Sequence, residues 1–501
     1  MQTARQYFSS RLGLLLSVLG IAVGTGNIWR FPRIAAQNGG DVGAGAFLVV
    51  WLVFLFLWSI PLIVAEYALG QKGRMGVVGT FWRVGGRSMT WLGGFVALVS
   101  TAIMFYYAVV TGWCLYYAGV MLARPLPQSL PEAERLWEHF QAGWGPVLLQ
   151  AVALGFAVAV LWTGVRAIER VSRLLMPTLL GILLLALVRA LTLEGSFEGL
   201  RYLFTPQWDQ LLQPRLWLEA LTQNAWDTGA GWGLILTYAA YMRREHGVVK
   251  NAFMTGVGNN TVSLLAAMTI FGTVFAVLGA ELSRPQVLEV MRASGPASTG
   301  LTFIWLPQLF ARLPLGKVLA VLFFIGLSFA AFTSLIAMVE LAVRVLMDLG
   351  MARSRALIWV GSVGWLLGLP SALNVTVLSN QDFVWGVGLM LSGAFVALVV
   401  MRYGPARLRA EVMEGVAWDW RLGRGWDVLM RWLVPMEAVV LLGWWLYQAG
   451  VVYAPARWYD PLEPYSVMTC LVQWSVALLA LRAFNGWMVH RLSAVRAFAE
   501  S

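Results

Sequence analysis

One carboxylate stands where a membrane helix should carry none. Asp227 lies in NAWDTGAGWG (residues 224–233), with three glycines and two tryptophans, inside a long apolar run. An acid at that depth partners a cation, carries a proton, or caps the amides that start a helix. Other chemistry is sparse. His139, His246 and His490 are scattered over loops and the tail and form no ligand cluster. Cys114 and Cys470 fall inside apolar runs and read as small core residues, not as a disulfide or metal pair. No nucleophile stands with a base, and no phosphate loop is visible. An enzyme is not expected.

The elements that hold Asp227 follow from composition. Of 501 residues, 59% are hydrophobic and 12% charged, and mean hydropathy is +0.70. A soluble chain of this size carries far more charge. Apolar runs long enough to span a bilayer recur along the chain. The expected class is an all-α polytopic membrane protein with twelve transmembrane helices. They centre near Gly24, Leu57, Tyr106, Ala153, Leu180, Gly229, Leu265, Phe332, Trp365, Leu391, Leu441 and Val476. The expected division is a cytoplasmic tail over 1–10, a core of helices 1–10 over 11–402, helices 11–12 over 403–490, and a short tail over 491–501. The net charge of +11 reflects basic cytoplasmic loops, such as Lys72, Arg74, Arg83 and Arg87, and no nucleic-acid partner is expected. The same rule puts both termini in the cytoplasm and the chain in the cell's inner (plasma) membrane. The lipid bilayer is its expected surroundings.

Two helices are not whole. Gly24 and Gly26 interrupt the first, and Gly229, Gly231 and Gly233 interrupt the sixth at a similar depth. An interruption strands backbone groups in hydrocarbon, so something must satisfy them. Paired breaks five helices apart make helices 1–5 and 6–10 corresponding halves, the pattern of a transporter with inverted repeats.

These residues resemble the neurotransmitter:sodium symporter family, known structurally from a bacterial leucine transporter. AVGTGNIWRFP followed by NGG resembles its most distinctive motif, and IPLIVAEYALGQ, FYYAVVTGW, ERVSRLLMPTL, AAFTSLIAMVE and NQDFVWG resemble helices 2, 3, 5, 8 and 10. The paired-break pattern is itself drawn from this family and adds no independent support. The resemblance implies two sodium ions. One site would use Ala22, Asn27, Asp227 (a threonine in relatives) and Asn259. The other would use Gly20, Val23, Ala330, Thr333 and Ser334. A small-molecule substrate, an amino acid or an amine, would meet Ala22, Gly24, Thr25, Gly26, Ile103, Tyr107, Trp226, Gly229, Trp232, Ser334 and Met338. Relatives that carry aromatic amines have an acid at the Gly24 position, so its absence favours a substrate bearing its own carboxylate. The resemblance also implies an outer gate, Arg30 with Asp382, an aromatic lid, Tyr107 with Trp226, and an inner gate, Arg5 with Asp348. Glu66 would accept bonds from the broken sixth helix.

Chloride-dependent relatives hold the anion at positions matching Trp51, Gln223, Asp227 and Ser263. Here an acid replaces the helix-six serine. Asp227 is then expected to serve as a fixed anion beside the first sodium, with chloride not required. The alternatives are that it replaces the substrate carboxylate as a sodium ligand, caps the second half of helix six, or carries a proton. The expected function is sodium-coupled import of a small amino acid or related zwitterion by alternating access. A carrier of amines lacking a carboxylate and a transporter-fold sensor are the alternatives. Trp226 and Trp232 are larger than the phenylalanines common at their positions, which points to a small or slender substrate. Ala167, ten residues before Pro177, stands where some relatives have glycine, and Glu340 where glutamine is more usual.

Overall fold

The computed structural model describes residues 7–293, 300–416 and 418–500. Among these the chain is helical, with no strand. Helix α1 (Arg11–Ala22) and α2 (Thr25–Asn38) form one apolar span bent by 49° at Val23–Gly24. Ten further helices are long and apolar enough to cross a membrane. Eight of these carry the argument, together with the interrupted pair at residues 214–239. In chain order, α3 spans Gly45–Gly73, α4 Arg87–Ala123, α5 Gly145–Trp162 and α6 Val165–Leu191. The interrupted pair is α7 (Pro214–Asp227) and α8 (Leu234–Ala239). Then come α9 (Val249–Leu278), α10 (Gly316–Asp348), α11 (Arg353–Leu373) and α12 (Val375–Tyr403). Two more spans, Arg424–Tyr453 and Val467–Ala497, complete the ten.

Between these lie short helices at Leu130–Ala142, Ser196–Phe204 and Arg284–Arg292. The segment 281–313 contributes Arg284–Arg292 and Leu301–Ala311, and residues 294–299 lie outside the described residues. Cys114 and Cys470 are free and buried. Helix α6 runs unbroken from Val165 through Pro177, past Ala167.

Glycines bring the bundle's axis together. A Cβ at Gly20 on α1 would meet Thr333 Cβ of α10 at 2.9 Å. One at Gly70 would lie 2.2 Å from the Leu236 carbonyl, and one at Gly231 would lie 2.7 Å from Gly393 Cα on α12. Close backbone approach is how membrane helices gain packing without a hydrophobic driving force between them. Glu66 and Gly70 are four residues apart on α3 and so share a face. The contact that brings α8 against Gly70 therefore also brings it to the Glu66 carboxylate.

Candidate ion and substrate site

The break in the sixth span is built from three left-handed glycines, Gly229 (φ 69°), Gly231 (φ 85°) and Gly233 (φ 76°). Few other residue types hold that conformation cheaply. The exposed amides find one acceptor. Glu66 Oε1 takes the amides of Gly231 (2.7 Å) and Gly233 (3.2 Å), and Oε2 takes that of Leu236 (2.9 Å). Glu66 is fully buried. Capping of α8 by Asp227, one of the sequence expectations, does not occur. Asp227 ends α7, and the residue that opens α8 is Gly233, with no side-chain cap. Glu66 reaches those amides from another helix and leaves Asp227 free for other contacts.

Asp227 is 5% exposed, and its two oxygens differ. Oδ2 accepts from Gln223 Nε2 (3.2 Å) and from the Ser263 hydroxyl (3.4 Å). Oδ1 is buried without a hydrogen-bond partner. Of the four chloride-site positions, three thus meet at one carboxylate. Trp51 stands apart: its ring packs on Phe31 at 4.4 Å, and its carbonyl accepts from Asn224.

Beside this carboxylate lies a cluster of oxygens. The Asn259 amide oxygen sits 3.0 Å from the Ala22 carbonyl and 3.0 Å from the Asp227 carbonyl. Hydrogen bonding alone would turn the amide so that its nitrogen faced those carbonyls. That turn would set the Asn259 nitrogen 2.8 Å from the Asn27 nitrogen, donor against donor. The two settings of the amide thus trade two carbonyl contacts against the Asn27 contact, and the built setting gathers three oxygens. A hard monovalent cation suits that geometry. Asn27 directs its nitrogen to Asn259 and Ser263 (2.8 Å each) and its oxygen to the Gly24 amide (2.8 Å), so in this rotamer it borders the cluster.

The second oxygen set joins α1 to α10. The Ser334 hydroxyl donates to the carbonyls of Gly20 and Ile21 at 3.3 Å. The Thr333 hydroxyl donates within its own helix, to Ala330 at 3.0 Å and Phe329 at 3.2 Å. Carbonyls in the last turn of a helix lack intrahelical partners. Gly20 and Val23 stand at that end of α1, so their oxygens, with Ala330 and the two hydroxyls, form a donor set suited to sodium.

A cavity of about 660 Å³ adjoins these sites and extends to Gln37, Arg292 and Tyr465, lined among others by Ala22, Gly24, Thr25, Gly26, Ile103, Tyr107, Trp226, Asp227, Gly229, Trp232, Ser334 and Met338. All eleven expected substrate positions are in its lining. The start of α2 faces it, and the Tyr107 hydroxyl accepts from the Thr25 amide (3.4 Å) and hydroxyl (3.2 Å). Amides at a helix N-terminus favour a carboxylate. Val387 of α12 also lines the cavity and was missed from sequence, because nothing in its type distinguishes it from the packing valines around it, such as Val384 and Val396.

The two residues of the expected outer pair stand apart. Arg30 and Asp382 line the same cavity, but no ion pair within 4.0 Å joins them. Arg30 instead lies over the Trp226 ring, 4.4 Å from its centroid, while Tyr106 faces Asp382. Arg5 lies outside the described residues. Asp348 forms an ion pair with Arg344 (3.1 Å) and accepts from the Gly76 amide (2.6 Å). Glu340, unexplained from sequence, is fully buried and bound by Arg353 through both terminal nitrogens (3.0 and 2.7 Å) and by the Tyr241 hydroxyl (2.6 Å). Its signal would have been Arg353, thirteen residues on across a helix–helix turn.

Two broken helices crossing a bundle, with oxygen clusters at the breaks and a cavity open to one side, define a membrane transporter. The chain belongs to the sodium:neurotransmitter symporter family, whose model matches residues 5–139 and 134–494. It is 29% identical to the sodium-dependent transporter YhdH of Bacillus subtilis, covering 87% of this chain and 96% of that one. It is 28% identical to the sodium-dependent serotonin transporter of Drosophila melanogaster, covering 82% and 72%. Among solved structures it is similar to MhsT in complex with L-phenylalanine, with a TM-score of 0.74 and 28% identity over 87% of this chain and 99% of that one.

Proposed function

We propose that the protein is a chloride-independent symporter that couples inward sodium flow to uptake of an amino acid by alternating access. It sits in the plasma membrane with both termini cytoplasmic. Its helices number twelve when each broken pair is counted once, with 1–5 and 6–10 as inverted repeats. Two sodium ions move with the substrate, at the Ala22–Asp227–Asn259 cluster and at the α1–α10 oxygen set.

The observation that carries this reading is the unpartnered Oδ1 of Asp227 beside the three-oxygen cluster. The carboxylate supplies a fixed negative charge next to the ion, and Oδ2 takes the Gln223 and Ser263 donors that would otherwise hold an anion. In a low-dielectric site this attraction amounts to several kcal/mol. The substrate's carboxylate meets the first amides of α2 and the Tyr107 hydroxyl, and its amine meets carbonyls at the end of α1.

The test is uptake of a panel of labelled amino acids and amines into proteoliposomes, with sodium or with choline outside, and with chloride or gluconate. Uptake of at least one amino acid is expected to need sodium and to be unchanged in gluconate. Sodium-independent uptake of every substrate would overturn the coupling. A clear loss in gluconate would overturn the role of Asp227.

A further inference from the structure

We propose that Gly386 on α12 is a specificity-determining residue, which widens the central site so that it takes amino acids with bulky apolar side chains. This rests on the amino-acid reading above and names the substrate class within it.

By size alone, Trp226 should narrow the site. The geometry shows where the extra ring goes. A Cβ at Gly386 would lie 1.8 Å from Trp226 Cζ2 and 1.9 Å from Cη2. The benzo edge of the indole is therefore lodged against the bare backbone of α12. Gly386 sits in the interior of that helix without a positive φ, so its backbone makes no demand for glycine. Glycine inside a helix is unfavourable relative to alanine. The space it leaves for Trp226 is its remaining purpose.

The ring is held on two sides. Arg30 covers it, 4.4 Å from the centroid, and its Nε1 is buried without a partner. An indole placed for hydrogen bonding would not leave that donor unmatched. Shape fixes this side chain. Across the cavity, Gly229 presents no side chain, and a Cβ built there would find only Ile21 and Ala22 between 3.5 and 4.0 Å. The walls between are Ile103, Trp232, Met338 and Val387. These side chains give the space beyond the polar ends an apolar lining, which suits a branched or aromatic side chain.

Alanine at 386 would force the indole to move. Arg30 blocks one side and α12 the other, so the ring yields into the cavity. Bulky substrates lose that space before small ones do. Phenylalanine at 226 has no benzo edge and should tolerate alanine at 386.

The experiment measures sodium-dependent binding of alanine, leucine and phenylalanine to the full chain in proteoliposomes, for wild type, G386A, W226F and G386A/W226F. Wild type is expected to bind leucine or phenylalanine more tightly than alanine. G386A should weaken phenylalanine about 100-fold and alanine by less than about threefold, the scale on which apolar pockets discriminate. The double variant should recover phenylalanine binding to within about fivefold of W226F, as relief of a steric conflict allows. Equal loss for all ligands, no recovery in the double variant, or a wild-type preference for alanine would each overturn the proposal. Should G386A fail to reach the membrane, recovery of expression in G386A/W226F supports the pairing and its absence overturns it. If wild type binds no amino acid with sodium, the amino-acid reading itself fails. A uniform loss confined to G386A leaves that reading standing.

Discussion

Asp227 divides its two oxygens between two tasks. Oδ2 is tied to Gln223 and Ser263, and Oδ1, without a hydrogen-bond partner, is the oxygen that the proposed function assigns to an ion. The division predicts what serine would do there. Asp227→Ser removes the fixed charge but keeps Gln223 and Ser263 as donors. Uptake by this variant should fall about tenfold or more in gluconate and recover with chloride, because a mobile anion then supplies the lost attraction near sodium. Uptake measured across chloride concentrations checks this, and a variant indifferent to chloride counts against the charge argument. At this scale the sequence was readable where a residue type was out of place. An acid among tryptophans and glycines marks itself, and so does Glu66. Which oxygen of Asp227 does what was not readable, because it depends on Ser263 from another helix. Glu340 was equally opaque until Arg353 and Tyr241 were seen around it.

At the scale of elements, the two breaks were legible because hydrocarbon forbids unsatisfied backbone and glycines announce where the helix stops. What answers the break was partly legible: Glu66 alone accepts three amides of the α7–α8 junction. Glu66→Gln replaces one acceptor oxygen by a donor facing amides. Each hydrogen bond to a charged group contributes about 1.5–3 kcal/mol, and a buried mismatch costs on the same order. The variant should lose most uptake and show a lower melting temperature in detergent, and an unchanged melting temperature would sink the assignment of Glu66 as the acceptor. Contacts between elements distant in sequence were not legible. The lodging of Trp226 at Gly386 pairs α7 with α12, and no local pattern around either residue announces it. The helix Leu130–Ala142 was not legible either, since only Ala133, Trp137 and Phe140 are buried on it and they mark no membrane span.

For the whole molecule, the cavity lies toward the end of the bundle that holds Gln37, Arg292 and Tyr465, and three polar ties join helices away from its lining. Arg353 holds Glu340 and also donates to the Leu161 carbonyl of α5 at 2.9 Å. Arg344 holds Asp348 and donates to the Arg74 carbonyl. Glu169 of α6 accepts the Ser9 amide (2.8 Å) and hydroxyl (2.7 Å) and fixes the start of α1. On the proposed transport cycle, release to the cytoplasm requires these ties to part, so they would set the balance between the two orientations. Arg353→Ala leaves the fully buried Glu340 carboxylate without its countercharge. Removing one partner of a buried pair costs about 3–5 kcal/mol. An inward-open state that hydrates Glu340 escapes much of that cost, and about 3 kcal/mol shifts a two-state balance roughly 100-fold. Ser17 on α1 is 2% exposed, and both native cysteines are buried. A cysteine placed by Ser17→Cys should therefore label slowly with a membrane-impermeant maleimide from the cytoplasmic side, and much faster when combined with R353A. The further change E340Q removes the stranded charge, so the S17C/R353A/E340Q chain should return most of the way to slow labelling. A labelling rate unmoved by R353A would mean that this tie does not hold the inner side closed. An equal rate in the triple variant would trace the effect to lost packing around Arg353 and not to the stranded charge.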